Sequence, residues 1–229
     1  MATLDIRANL EHVQATIDAA CRRAGRSPGE VLLIGVSKTV EVERIQAAIQ
    51  AGVPALGENR VQEARDKIET LGRPVPWHLI GPLQTNKAKD AVRLFDWIHS
   101  VDRLELAAEL DRRARQSGKS VNVLLEVNIG EEPQKAGARP DEVKSLLDAA
   151  ARLEGIRVRG LMAIPPVVSR AEESRPAFRR LRELRDAVGL EHLSMGMSAD
   201  FEVAVEEGAT MVRVGTAIFG PRTGPARPQ

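Results

Sequence analysis

Short apolar runs alternate with longer amphipathic stretches from one end of this chain to the other. Repeated strand–helix units around a parallel sheet produce that rhythm, because a strand covered by helices on one face and by other strands on the other is apolar throughout, whereas its covering helix is apolar on one side only. The runs that read as strands are Val31 to Ser37, Ala55 to Gly57, Trp77 to Ile80, Trp97 to Ser100, Asn122 to Asn128, Arg157 to Ala163, His192 to Met195 and Met211 to Gly215. Helical spacing fills the intervals: Val42 to Ala51, Arg60 to Leu71, Lys87 to Phe95, Leu104 to Gln116, Asp141 to Leu153, Ala171 to Val188 and Ala199 to Glu207. Several helices run into a glycine stop, as in QSGKSVNV and EEGATMVRVG. An additional helix, about Thr3 to Ala24, precedes the first strand, with Leu10, Val13, Ile17 and Ala20 on one face. Eight strand–helix units in 229 residues predict an α/β fold, a single (β/α)8 TIM barrel with an extra N-terminal helix. An open doubly wound sheet of the same content is the alternative. The barrel is expected to span residues 1–222, and the proline-rich residues 223–229 to be a disordered tail.

Charge and composition remove several functions. Lys plus Arg is 33 against 32 Asp plus Glu, and no single-sign run gathers the cations into a phosphate-backbone footprint, so nucleic acid is not an expected partner. The single cysteine, Cys21, cannot form an internal disulfide, and the opening MATLDIRANLEHV has neither signal nor transit character. No stretch approaches the roughly 18 apolar residues of a membrane span. A cytoplasmic protein without membrane contact is expected, and a monomer, since no long apolar seam is evident. The histidines His12, His99 and His192 show no metal-ligand spacing, and no metal site is predicted. Phosphate-loop, dinucleotide and nucleophile-elbow motifs are missing, which takes away the usual supports of nucleotide and serine-hydrolase chemistry.

In a barrel the chemistry lies at the C-terminal ends of the strands. The first strand, VLLIGVSKT, ends in Lys38, which by alternation shares a face with Leu32, Ile34 and Val36. A lysine beside so apolar a run favours the neutral amine that attacks carbonyls. The last strand, MVRVGTAIFG, puts Arg213 on the same face as Met211 and Gly215, and Gly215 with Thr216 offers close backbone approach, an N–H and a hydroxyl. The preceding segment LSMGMSADFEVA adds Ser194, Gly196 and Ser198, with Ser198 expected to cap the following helix and Asp200 in its first turn. Such groups at the last two strand ends suit a phosphate. Asn59 after the second strand and His78 on the third are candidates to line a ring pocket, and Glu126 and Asn128 share a face at the end of the fifth. A lysine, an arginine and a phosphate cradle serve two chemistries: a Schiff-base aldolase on a sugar phosphate, or a pyridoxal 5′-phosphate (PLP) protein.

The motifs VSKT, LGENRVQE, WHLIGPLQTNK, EVNIG with KAG, GLMAIPP, LSMGMSADFEVA and VRVGTAIFG, in this order over nearly the whole chain, resemble the PLP homeostasis protein family. That family, also called the YggS or proline-synthetase co-transcribed family, is similar in fold to the N-terminal barrel of alanine racemase. The resemblance implies a covalent aldimine between PLP and Lys38, Arg213 facing the pyridine nitrogen, and Ser194, Ser198, Gly215 and Thr216 around the phosphate. Asn59 and His78 would line the ring. A fixed cation opposite the pyridine nitrogen disfavours the protonated ring and weakens its action as an electron sink. Racemases with such an arginine add a second base, typically a tyrosine from a further β domain; this chain contains no tyrosine. The expected role is therefore to hold, buffer and deliver PLP, with apo PLP-dependent enzymes as its acceptors, for vitamin B6 and amino or keto acid homeostasis. A weak amino acid racemase, or another PLP-dependent enzyme, is the alternative. Whether Lys87 or Lys135 supplies a second PLP site is left open by the sequence.

Overall fold

The computed structural model describes residues 5–221. The strands are β1 Leu32–Val36, β2 Ala55–Glu58, β3 Trp77–Leu79, β4 Trp97–Val101, β5 Val121–Glu126, β6 Ile156–Met162, β7 His192–Met197 and β8 Met211–Val214. All eight predicted runs are strands. Every neighbouring pair is parallel, and β8 pairs back onto β1, so the sheet closes into a barrel and the open-sheet alternative is excluded. The β1–β8 register sets Ile34 opposite Arg213, which brings the two strand ends carrying Lys38 and Gly215 side by side.

The helices among the described residues are α1 Ile6–Arg23, α2 Val42–Gln50, α3 Val61–Leu71, α4 Ala88–Leu94, α5 Leu104–Gln116, α6 Val143–Ala150, α7 Arg175–Ala187, α8 Phe201–Glu206 and α9 Thr216–Phe219. Three predicted helices begin instead with a separate 3-10 turn, at Thr85–Lys87, Pro140–Glu142 and Ala171–Ser174. In the last of these the longer helix starts one residue ahead of Pro176, which has no N–H to give and fits only a helix's first turn. The short helix α9 was not anticipated. Glycine stops hold where the chain must turn sharply: Gly118 (φ +63°) and Gly208 (φ +99°) take left-handed backbone that a side chain would resist.

Two apolar layers stabilise the barrel. A small cluster of Ile34, Ala55, Leu124, Met162 and Met211, flanked by Leu32 and Trp97, fills the interior. The larger one lies between sheet and helices and includes Leu33, Leu56, Leu79, Leu125 and Val212, the opposite parity of the same strands. Helix α1 lays its stripe of Leu10, Val13, Ile17 and Ala20 against α2, α8 and α9. Asp5 caps it by accepting from the Ala8 N–H, and Asn9 Nδ2 donates to the Ile218 carbonyl at 3.0 Å, tying α1 to α9. No helix among the described residues is long and apolar enough to cross a membrane. The predicted tail, 223–229, lies outside the described residues.

Candidate functional site

The C-terminal ends of β1 and β8 form one cleft, lined by Val36, Lys38, Val40, Gly215, Thr216, Phe219 and Gly220. Lys38 is half-buried there and Thr216 is exposed. A side chain at position 215 would come within 3.3 Å of the Val36 carbonyl and 3.4 Å of its Cβ, so glycine keeps the floor of the cleft open. Ser198 Oγ accepts from the Gly215 N–H at 3.3 Å, which joins the β7–α8 loop to the start of α9. Ser198 is thus not the cap of α8. Asp200 occupies the cap position and its carboxylate accepts from the Met197 N–H at 2.7 Å, because the chain makes a full turn after β7 before the helix begins.

Inside the barrel a chain of polar side chains runs from β8 to β3. Arg213 is buried at 4% exposure. Its guanidinium donates to the Ser194 carbonyl at 2.8 Å, to Ser194 Oγ at 2.7 Å and to the Ala163 carbonyl at 3.1 Å. Burial pushes its pKa down to about 10, opposed by the Glu126 and Asp200 carboxylates, so it remains a cation at neutral pH. Ser194 Oγ lies 2.9 Å from His99 Nδ1, and His99 Nε2 lies 2.9 Å from His78 Nδ1. Arginine can only donate, so the serine oxygen accepts from it and the serine proton is directed at His99 Nδ1. His99 then carries its proton on Nε2 and passes the direction on to His78, whose Nε2 has no partner. Both rings are held neutral: burial lowers His78 to about 3, and burial, then the cost of a positive charge so near His78 and Arg213, takes His99 well below its ordinary value. His78 also stacks on Trp97, 5.8 Å apart and 5° from parallel. Burial raises the Glu126 carboxyl to about 7, with Asp102 adding to the rise and Arg213 opposing it.

The expected residues therefore fall into two groups. Lys38, Gly215 and Thr216 line the cleft and Ser198 bonds to its floor. Ser194, expected beside a phosphate, is instead fully buried with its hydroxyl committed to Arg213 and His99, and His78 is sealed in the same chain. Asn59 is half-buried just past β2, where its backbone packs on Gly81. Asn128 staples its own loop, its side chain bonding Glu132 and Lys135 backbone groups, and Lys135 Nζ reaches Glu132 and the Pro165 carbonyl. His99 was missed as a member of the site, although its alternation with Trp97 on β4 matches the parity argument applied to Lys38 and Arg213. A second ionic cluster, Glu58, Glu63 and Lys67, packs behind β1 and was not anticipated either.

Residues 8–223 match the family described as alanine racemase, N-terminal domain. The chain is 48% identical over 220 residues to the pyridoxal phosphate homeostasis protein of Aquifex aeolicus, across 93% of this chain and 96% of that one. It is 43% identical over 229 residues to the protein of that name in Escherichia coli K12, across 95% and 97%. Among solved structures, PipY of Synechococcus elongatus with PLP bound superposes with a TM-score of 0.84 at 39% identity, covering 94% of this chain and all of that one. An alanine racemase of Clostridium difficile, 18% identical with a TM-score of 0.71, shares the fold over 96% of this chain and 57% of its own. By sequence and by fold, this chain belongs to the alanine racemase N-terminal domain family and, within it, to the pyridoxal phosphate homeostasis proteins.

Proposed function

We propose that the protein binds PLP at the mouth of the barrel and holds, buffers and delivers it, Lys38 forming the Schiff base with the PLP aldehyde. The observation that carries this reading is a cleft that brings Lys38 together with Gly215 and Thr216, on a strand whose Arg213, two residues before Gly215, is buried. The groups suit the ligand. An amine meets an aldehyde with loss of water; the hydroxyls of Ser198 and Thr216 and the N–H groups at the start of α9 suit a phosphate; Arg213 supplies a cation toward the pyridine nitrogen. When bound, PLP supplies a reactive aldehyde and a conjugated ring. The residues around it limit what that ring can do. Arg213 is fixed by three donated bonds and keeps its own proton, so it would disfavour protonation of the ring nitrogen and weaken carbanion stabilisation. A cleft open at β1 and β8 favours uptake and release, and apo PLP-dependent enzymes are the acceptors this role requires.

The test is the absorbance spectrum of the purified protein beside Lys38→Ala, followed by borohydride reduction and peptide mapping. A yellow band that maps to Lys38 and is lost in the variant is the expected result. A colourless protein that takes up no added PLP returns the site to Schiff-base aldolase chemistry. The delivery role is read by mixing the loaded protein with an excess of an apo-enzyme: transfer within minutes is expected, and retention for many hours rejects it. Steady turnover of an amino acid that disappears in Lys38→Ala would assign an enzyme instead.

A further inference from the structure

Both neighbours of Lys38 are held from behind the sheet. Ser37 is fully buried, its hydroxyl donates to Glu58 Oε1 at 2.6 Å, and its carbonyl accepts from Lys67 Nζ at 2.6 Å. Thr39 has a φ of +60°, a left-handed backbone that a β-branched residue rarely adopts. Its N–H donates to Glu63 Oε1 at 2.6 Å. The two anchors are themselves one unit. Lys67, 7% exposed, reaches Glu58 Oε1 at 2.8 Å and Glu63 Oε1 at 2.6 Å, so a single ammonium on α3 gathers a carboxylate from the end of β2 and another one turn back on its own helix. The spacing of Glu63 and Lys67, four residues apart, puts both on the face of α3 turned to the barrel.

We propose that Glu58, Glu63 and Lys67 are positioning residues for Lys38, clamping Ser37 and Thr39 so that the Lys38 amine is presented to the cleft. This rests on the reading of Lys38 as the lysine that takes PLP. A strained residue keeps its conformation only while its surroundings over-determine it. Without the Glu63 oxygen only the turn bond from the Val40 N–H to the Ser37 carbonyl, 3.0 Å, still holds Thr39, and the strained backbone relaxes more readily, turning the peptide that joins it to Lys38.

The experiment follows the rise of the Lys38-dependent absorbance band after PLP is added to the apo-protein, well below the melting temperature of each variant. Glu63→Ala is expected to slow capture by about tenfold or more, the worth of a lost charge-assisted hydrogen bond. Glu63→Gln keeps an oxygen for the Thr39 N–H and should capture PLP at close to the wild-type rate. Adding Thr39→Gly to Glu63→Ala should recover most of the loss, because glycine takes a left-handed backbone without steric cost; a general weakening of the fold would not be repaired this way. Wild-type capture by Glu63→Ala, or no recovery in the double variant, overturns the proposal. Should Glu63→Ala fail to fold, Glu63→Asp takes its place: it keeps the charge but withdraws the oxygen, and slowed capture supports the clamp while a wild-type rate rejects it. If the wild-type protein gives no Lys38-dependent band, the PLP reading itself fails and the clamp with it.

Discussion

Two sets of side chains are sealed inside the same barrel, and they work differently. Ile34, Ala55, Leu124, Met162 and Met211 touch one another without direction, whereas His78, His99, Ser194 and Arg213 are joined atom to atom. The first set fills volume and tolerates any apolar shape that fits. The second assigns a proton to each nitrogen and oxygen, and a wrong atom anywhere leaves a buried polar group without a partner. One contributes stability; the other fixes where a cation stands.

That contrast can be broken most forcefully in the apolar set. Ile34→Ala opens a cavity where nothing can collapse easily, and should cost about 2–5 kcal/mol in urea unfolding while leaving PLP capture intact in the folded protein. A comparable loss of capture would mean that volume, too, positions the site. His99→Phe tests the polar set, because it preserves bulk and removes only the two ring nitrogens. It should cost about 1–3 kcal/mol at pH 7 by leaving the Ser194 O–H without an acceptor and His78 Nδ1 without a donor, and PLP should be retained less well. A neutral outcome would reduce the chain to packing.

The same variant sharpens the pH dependence. His78 and His99 are held below their ordinary value of 6.5, so the unfolded chain binds their protons first and the stability they contribute is present above about pH 6.5 and lost as pH falls. Glu58 and Glu126 are raised from 4.5 to about 7 by burial, so their contribution is present below 4.5 and lost as pH rises toward 7. Between pH 4.5 and 6.5 the two pairs oppose, and wild-type stability should be nearly flat. With His99→Phe the carboxylates prevail and stability should fall with rising pH across that window, by about 1.4 kcal/mol per unit relative to wild type. Denaturant titrations at several pH values read this directly. The smallest effect belongs to Ser198→Ala, which removes one long hydrogen bond to the cleft floor: about 0.5–1.5 kcal/mol at most, with PLP release faster than in wild type.

The strands were legible because short, largely apolar runs, least broken in β1, stand between amphipathic stretches, and the parity argument set Lys38 at the β1 end and Arg213 on the inner face of β8. Closure was not legible in the same way, since pairing of Ile34 with Arg213 joins residues far apart in the chain and leaves no local mark. Nor was the commitment of Ser194. A serine at a strand end reads alike whether it greets a ligand or an arginine, and only the buried guanidinium beside it decides. His99 was within reach of the alternation rule but sits in WIHSV, where a histidine among apolar neighbours looks like filling. The Glu58–Lys67 cluster depends on how α3 lies on the barrel, which spacing alone does not determine.

The seam between β1 and β8 also shapes how the molecule is made. The strand that completes the sheet, Met211–Val214, is synthesised after every other, and α9, which Asn9 of the first helix grips, follows it. A growing chain that has reached residue 210 therefore carries seven strands with two bare edges, each able to recruit a stranger. Burial of those edges waits until β8 docks between β7 and β1. Any delay there is a window for aggregation rather than for slow function.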